Sequence, residues 1–198
     1  MKIIIVGATG TIGKKVTAAL KQKHEVISAA SKSGDLQVDI TSTASIEAFY
    51  KQAGKFDALV SITGAGHFGP LSTTTPEDFK IGINSKLMGQ VNLVLIGQHY
   101  INPKGSFTLT SGILATDPVL HGANLSAVNG ALNSFVAAAA IELENSVRIN
   151  VVSAGVVEDS PAHFDAFPGH IPVRMDRVVA GYEKSILGAG TGKVIEVF

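Results

Sequence analysis

The sequence predicts an α/β fold: a single-domain, Rossmann-like, doubly wound parallel sheet of about seven strands, with helices on both faces. Short β-rich runs alternate with longer helical patterns along nearly the whole chain, which favours parallel strands joined by crossover helices. The first run, KIIIV at 2–6, is continuously apolar, as expected of a strand buried on both faces. Because 198 residues is an ordinary length for one domain, 1–198 is predicted to fold as one unit.

The individual elements follow from local patterns. Apolar runs bounded by turn residues predict strands over 2–6, 25–30, 36–40, 56–62, 106–111, 147–153 and 193–197. Periodic apolar positions predict helices over 11–23, 42–53, 76–100, 122–146 and 174–187. The third helix starts at Pro76 with acidic residues in its first turn, a favoured N-terminal composition. Ligands of such sheets bind beyond the carboxyl ends of the strands, so site residues are expected just after strands.

Composition limits the classes of function. The formal net charge is zero and 16% of residues are charged, which gives no electrostatic reason to expect nucleic acid or a membrane as partner. With no cysteine, the chain has no thiol chemistry and no thiolate metal site. The N-terminal apolar run is too short for a secretory signal, and no uninterrupted apolar run is long enough to span a bilayer. We therefore expect a cytoplasmic protein with no metal.

A glycine turn, VGATGTIGKK, joins the first strand to the first helix. Gly7, Gly10 and Gly13 are spaced three apart. Such glycines let the backbone approach a diphosphate, while the helix N-terminus offers free N–H groups and positive potential. The cofactor contacts predicted in this turn are Gly7, Thr9, Gly10, Thr11, Ile12 and Gly13. The alternative is a tight strand-to-helix turn without a ligand.

The end of the second strand bears on which dinucleotide is bound. An acidic residue there would accept from both ribose hydroxyls and repel a 2′-phosphate. The chain instead has Ser31 and Lys32, with Lys14 as a second cation beyond the glycine turn. This favours NADP(H) over NAD(H), unless these side chains are merely solvated loop residues.

Several motifs, in order along essentially the whole chain, resemble those of the short-chain dehydrogenase/reductase family. GATGTIG is similar to the family's glycine motif, and Asp39-Ile40 resembles the pair that holds the adenine. Further matches are Gly64-Ala65-Gly66 in the turn after the fourth strand, Asn84 as the structural asparagine, and RINVVSAGVV, with Gly155 and Val157, closing over the nicotinamide. The resemblance implies an NAD(P)(H)-dependent oxidoreductase that acts on a small carbonyl compound or alcohol.

The resemblance breaks at the residues that move the proton. The family uses a Tyr-x-x-x-Lys pair on the helix after the serine strand, and LSAVNGAL places Leu125 and Asn129 at those two positions. Leucine transfers no proton, and a neutral amide does not lower a neighbour's pKa as an ammonium does. Ser111 is the candidate serine, but it lies fourteen residues before Leu125 where the family's offset is about thirteen, which falls on Gly112. A one-residue bulge would bring Ser111 into place.

Two histidines are candidates to replace the missing acid. His121, one turn before Leu125, and His67, after the Gly-Ala-Gly turn, each have an imidazole that would serve as the acid if it reached the substrate oxygen. Lys86 is expected on another helical face, at a surface or an interface. The segment 156–173 is the predicted substrate lid; its His163 and Asp165 are too weak a pattern for a metal site.

Two functional hypotheses remain open at this point. The chain is either an oxidoreductase with atypical catalysis on a small-molecule substrate, or a catalytically inactive dinucleotide-binding regulator or scaffold. In the resembling family the helices corresponding to 76–100 and 122–146 commonly pair between subunits, so we expect a homodimer or homotetramer. The competing interpretation is that the apolar residues of both helices all face the core.

Overall fold

The computed structural model describes residues 1–198 and contains one seven-stranded parallel sheet. The strands are β1 (Lys2–Val6), β2 (Glu25–Ala30), β3 (Leu36–Gln37), β4 (Phe56–Ser61), β5 (Ile101–Thr110), β6 (Arg148–Ala154) and β7 (Val194–Val197). The helices are α1 (Thr11–Leu20), α2 (Thr43–Ala53), α3 (Pro76–Ile81), α4 (Met88–Gly97), α5 (Ala123–Glu142) and α6 (Met175–Leu187). The strand order is β3-β2-β1-β4-β5-β6-β7. The predicted doubly wound fold is confirmed, and the order reverses between β1 and β4.

Alternating residues of the central strands enter two separate cores. Ile4 and Val6 of β1 join the core beneath α2, α4 and α5, where Phe49 and Leu132 are also buried. Ile3 and Ile5 join the core beneath α1 and α6. Because β1 is covered on both faces, its continuous apolar run is explained by burial on each side. The carboxyl edge of the sheet, between the two helical layers, is left for loops.

The helix predicted over 76–100 is interrupted. Between α3 and α4, residues Gly82–Leu87 form a π-helical turn, in which i→i+5 bonding accommodates an extra residue. The helix predicted over 122–146 also ends early, at Glu142, because Leu143 is extended and Asn145 and Ser146 adopt positive φ. Short 3₁₀ segments cover Ile113–Ala115 and Pro161–Ala166.

Helix α5 is apolar on average but contains polar residues. By length and composition alone this one helix would be able to cross a membrane, although asparagines and serines interrupt its apolar sequence. In the fold, α5 packs against the sheet through Val128, Leu132 and Val136. Its composition is therefore accounted for by one face in the core and an alanine-rich remainder.

The two helices expected to pair between subunits are only partly turned inward. Leu93 and Leu132 are buried, whereas Leu95 is 47% exposed and Ile141 is 87% exposed. The interpretation that all apolar residues of the two helices face the core is therefore wrong for Leu95 and Ile141. Self-association through this surface stays a prediction.

Candidate functional site

Two cavities lie side by side at the carboxyl edge of the sheet. The first, here the turn cavity, holds about 350 Å³ and is lined by the glycine turn, the ends of β2 and β4 and residues 38–41. The second, the lid cavity, holds about 470 Å³ between α5, the ends of β5 and β6 and the segment after β6. The two cavities adjoin, since neighbouring residues of the chain line different cavities. Ala65 and Ser85 border the turn cavity, whereas Gly66 and Lys86 border the lid cavity. Together they form one crevice at the switch point, where such sheets bind ligands.

The glycine turn has room for backbone and nothing larger. A Cβ on Gly7 would lie 2.1 Å from the Ile62 carbonyl oxygen, and one on Gly13 would lie 2.0 Å from the Gly7 carbonyl oxygen. Gly7 also has φ +88°, which strains other residues. The N–H groups of Thr11, Ile12 and Gly13 have no acceptor within the chain. Three free donors at a helix N-terminus that faces a cavity suit an anion such as a diphosphate.

The predicted adenosine contacts are distributed unevenly. Ser31, Asp39 and Ile40 line the turn cavity, together with Gly7, Thr9 and Gly10 of the glycine turn. Asp39 accepts hydrogen bonds from the amide and hydroxyl of Thr41, and these bonds lower the pKa of its carboxyl. Lys32 is exposed beside Ser31 but is not part of the lining.

Apolar side chains dominate the lid cavity. Ile12 enters from the glycine turn, Gly155 and Val157 from the end of β6, and Ala166 and Phe167 from the predicted lid. A parallel bridge between Val157 and Val173 closes the base of that lid. The predicted segment 156–173 therefore forms one wall of the cavity.

The family's tyrosine and lysine positions both face the lid cavity. Leu125 and Asn129 line it one turn apart on α5, as the alignment predicts. Asn129 is 3% exposed, and its Oδ1 atom has no hydrogen-bond partner. A buried carbonyl oxygen without a donor is costly unless a ligand supplies one. A ribose hydroxyl or carboxamide N–H from a dinucleotide would satisfy it.

Ser111 does not reach this cavity, contrary to the suggestion of a bulge. The pairing of β5 with β6 runs without interruption from Ser106–Arg148 to Thr110–Val152, and the Ser111 amide then donates to the Val152 carbonyl. Its Oγ atom is buried without a partner. Gly112 lines the cavity instead, and a Cβ there would lie 3.2 Å from Asn129 Nδ2. Gly112, the position on which the family's usual offset falls, therefore lines the cavity where Ser111 does not.

The two histidines considered as substitute acids also lie outside the lid cavity. His121 is exposed with φ +69°, lines a separate surface depression, and packs edge-on against Phe68. His67 lies near the hydroxyl of Thr74, with 3.3 Å between Nε2 and Oγ1. The one imidazole in the lining is that of His163. No cluster of three or more potential metal-ligating side chains occurs in the structure.

Lys86 is the main correction to the sequence analysis. Expected at a surface or an interface, it instead lines the lid cavity with Leu125 and Asn129. It belongs to the π-helical turn, so a helical wheel of 3.6 residues per turn assigns it to the wrong face. Burial lowers the pKa of its ammonium from 10.5 to about 8.

Three further residues hold the site together and were missed by the sequence analysis. Asn124 Oδ1 accepts from the His67 amide while its Nδ2 donates to the Phe79 carbonyl, which joins α5 to the loop after β4 and to α3. Gln90 exchanges two hydrogen bonds with the backbone of Thr110 and donates to the Lys86 carbonyl. The Ser85 hydroxyl accepts from the Ala65 amide. Asn84, which the resemblance predicts to be the structural asparagine, is exposed in the same π-helical turn.

Comparisons with known proteins agree with this geometry. The family model described as enoyl-(acyl carrier protein) reductase matches residues 3–173. The protein lin1944 from Listeria innocua is 47% identical in its solved structure, with 100% of both chains covered and a TM-score of 0.98. A small-chain dehydrogenase solved in complex with NADPH is 25% identical, with 100% of this chain and 96% of that chain covered and a TM-score of 0.89. An uncharacterized oxidoreductase of Methylorubrum extorquens is 25% identical over 73% of this chain, and the matched region spans 60% of that relative's length.

Proposed function

Because the chain belongs to the short-chain dehydrogenase/reductase family, we propose that it binds a nicotinamide dinucleotide along the crevice and reduces a small carbonyl compound with it. One observation carries the proposal. The glycine turn, which leads into the free N–H groups at the start of α1, lines the turn cavity, and Asn129, whose buried Oδ1 has no partner, is among the residues that line the lid cavity. The cofactor of the NADPH-bound small-chain dehydrogenase supports the choice of ligand.

Different parts of the crevice would bind different parts of the dinucleotide. The first turn of α1 would hold the diphosphate, the Asp39-Ile40 pair the adenine, and Asn129 the nicotinamide ribose. Bound there, the dinucleotide supplies a hydride. The apolar lining of the lid cavity excludes water from the reacting carbon and accepts a substrate with little charge.

NADP(H) is the favoured form. Ser31 lines the turn cavity directly after β2, residues 30–33 include no acid, and the neighbouring Lys32 forms no ion pair. The nearby Asp35 carboxylate is occupied by hydrogen bonds from the amide and hydroxyl of Ser28. A hydroxyl with an adjacent cation suits a 2′-phosphate, whereas a carboxylate would repel it.

Calorimetric titration with NADPH and with NADH tests this proposal. We expect NADPH to bind about tenfold more tightly or better, a difference of about 1.4 kcal/mol. Ser31→Asp should abolish or reverse the preference, because it places a carboxylate where the 2′-phosphate would lie. The matched control is Ser33→Asp, which is exposed and outside the lining. If neither dinucleotide binds, the proposed function is wrong.

A second function, a dinucleotide-binding regulator without turnover, is favoured by one observation. The lid cavity is lined by Leu125, Asn129 and Gly112, the residues that the resemblance aligns with the family's tyrosine, lysine and serine. A screen of aldehydes, ketones and dicarbonyls under saturating NADPH separates the two functions. Consumption of NADPH with formation of the alcohol supports the reductase, whereas tight binding with no acceptor reduced supports the regulator.

A further inference from the structure

Lys86 is fixed at the junction of the two cavities by contacts on several sides. A Cβ on Gly64 would lie 2.5 Å from Lys86 Cα, so the turn after β4 packs directly on the lysine backbone. Gln90 Nε2 donates to the Lys86 carbonyl at 3.1 Å and to the Thr110 carbonyl at 2.8 Å. The preceding residue, Ser85, accepts from the Ala65 amide at 2.9 Å. The position of this backbone is therefore set by β4, α4 and β5 together.

The side chain of Lys86 enters a cavity that offers it no counter-charge. It forms no ion pair, and the only other titratable side chain in the lining is that of His163, on the lid. The facing elements contribute the neutral side chains of Leu125 and Asn129 from α5, and Ala154 with valines from the end of β6. Lys86 is only partly exposed, and an ammonium that loses part of its hydration without a counter-charge opposes folding. A lysine retained under that penalty in a ligand cavity is a candidate for a reacting group.

We propose that Lys86 is the catalytic acid of this site, with its ammonium donating the proton that the family's tyrosine would otherwise supply. The inference rests on the proposed reductase function. A bound dihydronicotinamide would supply a hydride, with its electron pair, to the carbonyl carbon, and the C=O π bond would break toward oxygen. The oxygen takes a proton as an N–H bond of Lys86 breaks. The products are an alcohol, the oxidised dinucleotide and a neutral amine, which regains its proton from water.

The chemistry of the group fits this role. Burial lowers the pKa of Lys86 to about 8, so the group is mostly protonated at neutral pH and yet transfers its proton more readily than an ordinary lysine. The wild-type rate of reduction should therefore be constant below about pH 7 and fall above about pH 8, as the ammonium is lost.

The first test measures the pKa of Lys86 in two dinucleotide complexes, which reports whether its ammonium lies near the nicotinamide and does not require turnover. Lysines are methylated reductively with ¹³C, which keeps their charge, and the Lys86 signal is identified by its loss in Lys86→Arg. We expect Lys86 to titrate about two units below the exposed lysines. Its pKa should be lower by about one unit in the NADP⁺ complex than in the NADPH complex, because the oxidised ring carries a positive charge. Lys80, exposed on α3, serves as the internal control and should not change.

The second test uses an acceptor from the carbonyl screen. Lys86→Met and Lys86→Arg should each lower kcat about 100-fold or more, with the Kd of NADPH within about threefold, because neither side chain donates a proton near pH 7. Lys80→Met should leave kcat unchanged. His163→Gln should keep the fall above pH 8, which excludes the other titratable group in the lining.

The outcomes separate the two proposals. If the wild type binds no dinucleotide, the proposed function itself is wrong. If it binds and reduces an acceptor while Lys86→Met keeps its kcat, or if Lys86 titrates identically in both complexes, Lys86 is not the acid although the reductase function stands. Binding without reduction of any acceptor also overturns the role of Lys86 and supports the regulator.

Discussion

The two cavities of the crevice are built by different parts of the chain. The turn cavity depends on backbone: three glycines, a helix N-terminus with free N–H groups, and the ends of two strands. The lid cavity depends on side chains from α5, the π-helical turn and the lid. The first has the glycine pattern that resembles the family's, whereas the second is lined by Leu125, Asn129 and Gly112, which the resemblance aligns with the family's tyrosine, lysine and serine. The resemblance to the family is therefore stronger where the backbone forms the cavity than where side chains do.

Gly13→Ala should give the largest effect, on the turn cavity. The new Cβ would lie 2.0 Å from the Gly7 carbonyl oxygen, which forces the glycine turn to open. We expect a loss of about 1–3 kcal/mol in the free energy of unfolding and at least a tenfold loss of NADPH affinity, measured by urea denaturation and calorimetry. Gly130→Ala is the matched control. It has open space on α5 and should stabilise the protein by about 0.5–1 kcal/mol. Normal NADPH binding in Gly13→Ala would show that the ligand does not use this turn.

Lys86→Met, in the lid cavity, should raise the free energy of unfolding, whereas Gly13→Ala lowers it. The pKa of Lys86 falls from 10.5 to about 8 on folding, which corresponds to at most about 3 kcal/mol at pH 7. Partial exposure reduces the expected gain to about 1–2 kcal/mol. Because the folded pKa lies below the unfolded one, the penalty in the wild type is full below pH 8 and disappears as pH rises toward 10.5.

Urea unfolding of wild type and Lys86→Met at pH 7 and at pH 10 measures this difference. The difference in the free energy of unfolding between the two proteins should be smaller at pH 10 than at pH 7. Lys80→Met should change stability by less than about 0.5 kcal/mol at either pH. A gap that is constant with pH would mean that the gain arises from packing rather than from removal of a charge.

Ser111→Ala should give the smallest effect and marks the boundary of the site. The Ser111 hydroxyl is buried without a partner and does not line the lid cavity. Its removal should leave NADPH affinity and turnover within about twofold, with stability unchanged or slightly higher. A tenfold loss of turnover would place Ser111 among the reacting groups and would require a different conformation at the end of β5.

The sequence predicted the turn cavity better than the lid cavity, and the reason is physical. The positions of the strands, the glycine turn and the end of β2 follow from local composition, because each depends on residues adjacent in the chain. The positions of Leu125 and Asn129 were also predicted, since a regular helix fixes their phase. Lys86 was assigned to the wrong face because the π-helical turn alters the phase of the helix that carries it.

The buried polar contacts were not predictable for a different reason. Asn124 and Gln90 each join elements that are far apart in the chain, such as α5 with the turn after β4 and α4 with the end of β5. An asparagine or glutamine in a helix gives no local sign of a tertiary partner. Ser111 was predicted to face the lid cavity, but Gly112 lines it instead. Which of the two does so depends on the register of β5, and the pairing of β5 with β6 determines that register.

The strand order also affects how this protein behaves at high concentration. The sheet ends in its two shortest strands, with two residues in β3 and four in β7. Few unpaired N–H and C=O groups are therefore exposed along either edge, and Lys193 and Glu196 place charges beside the longer one. Short, charged edges discourage strand addition by another chain. Substitutions that lengthen β7 or neutralise Lys193 and Glu196 would turn a protected edge into a template for aggregation.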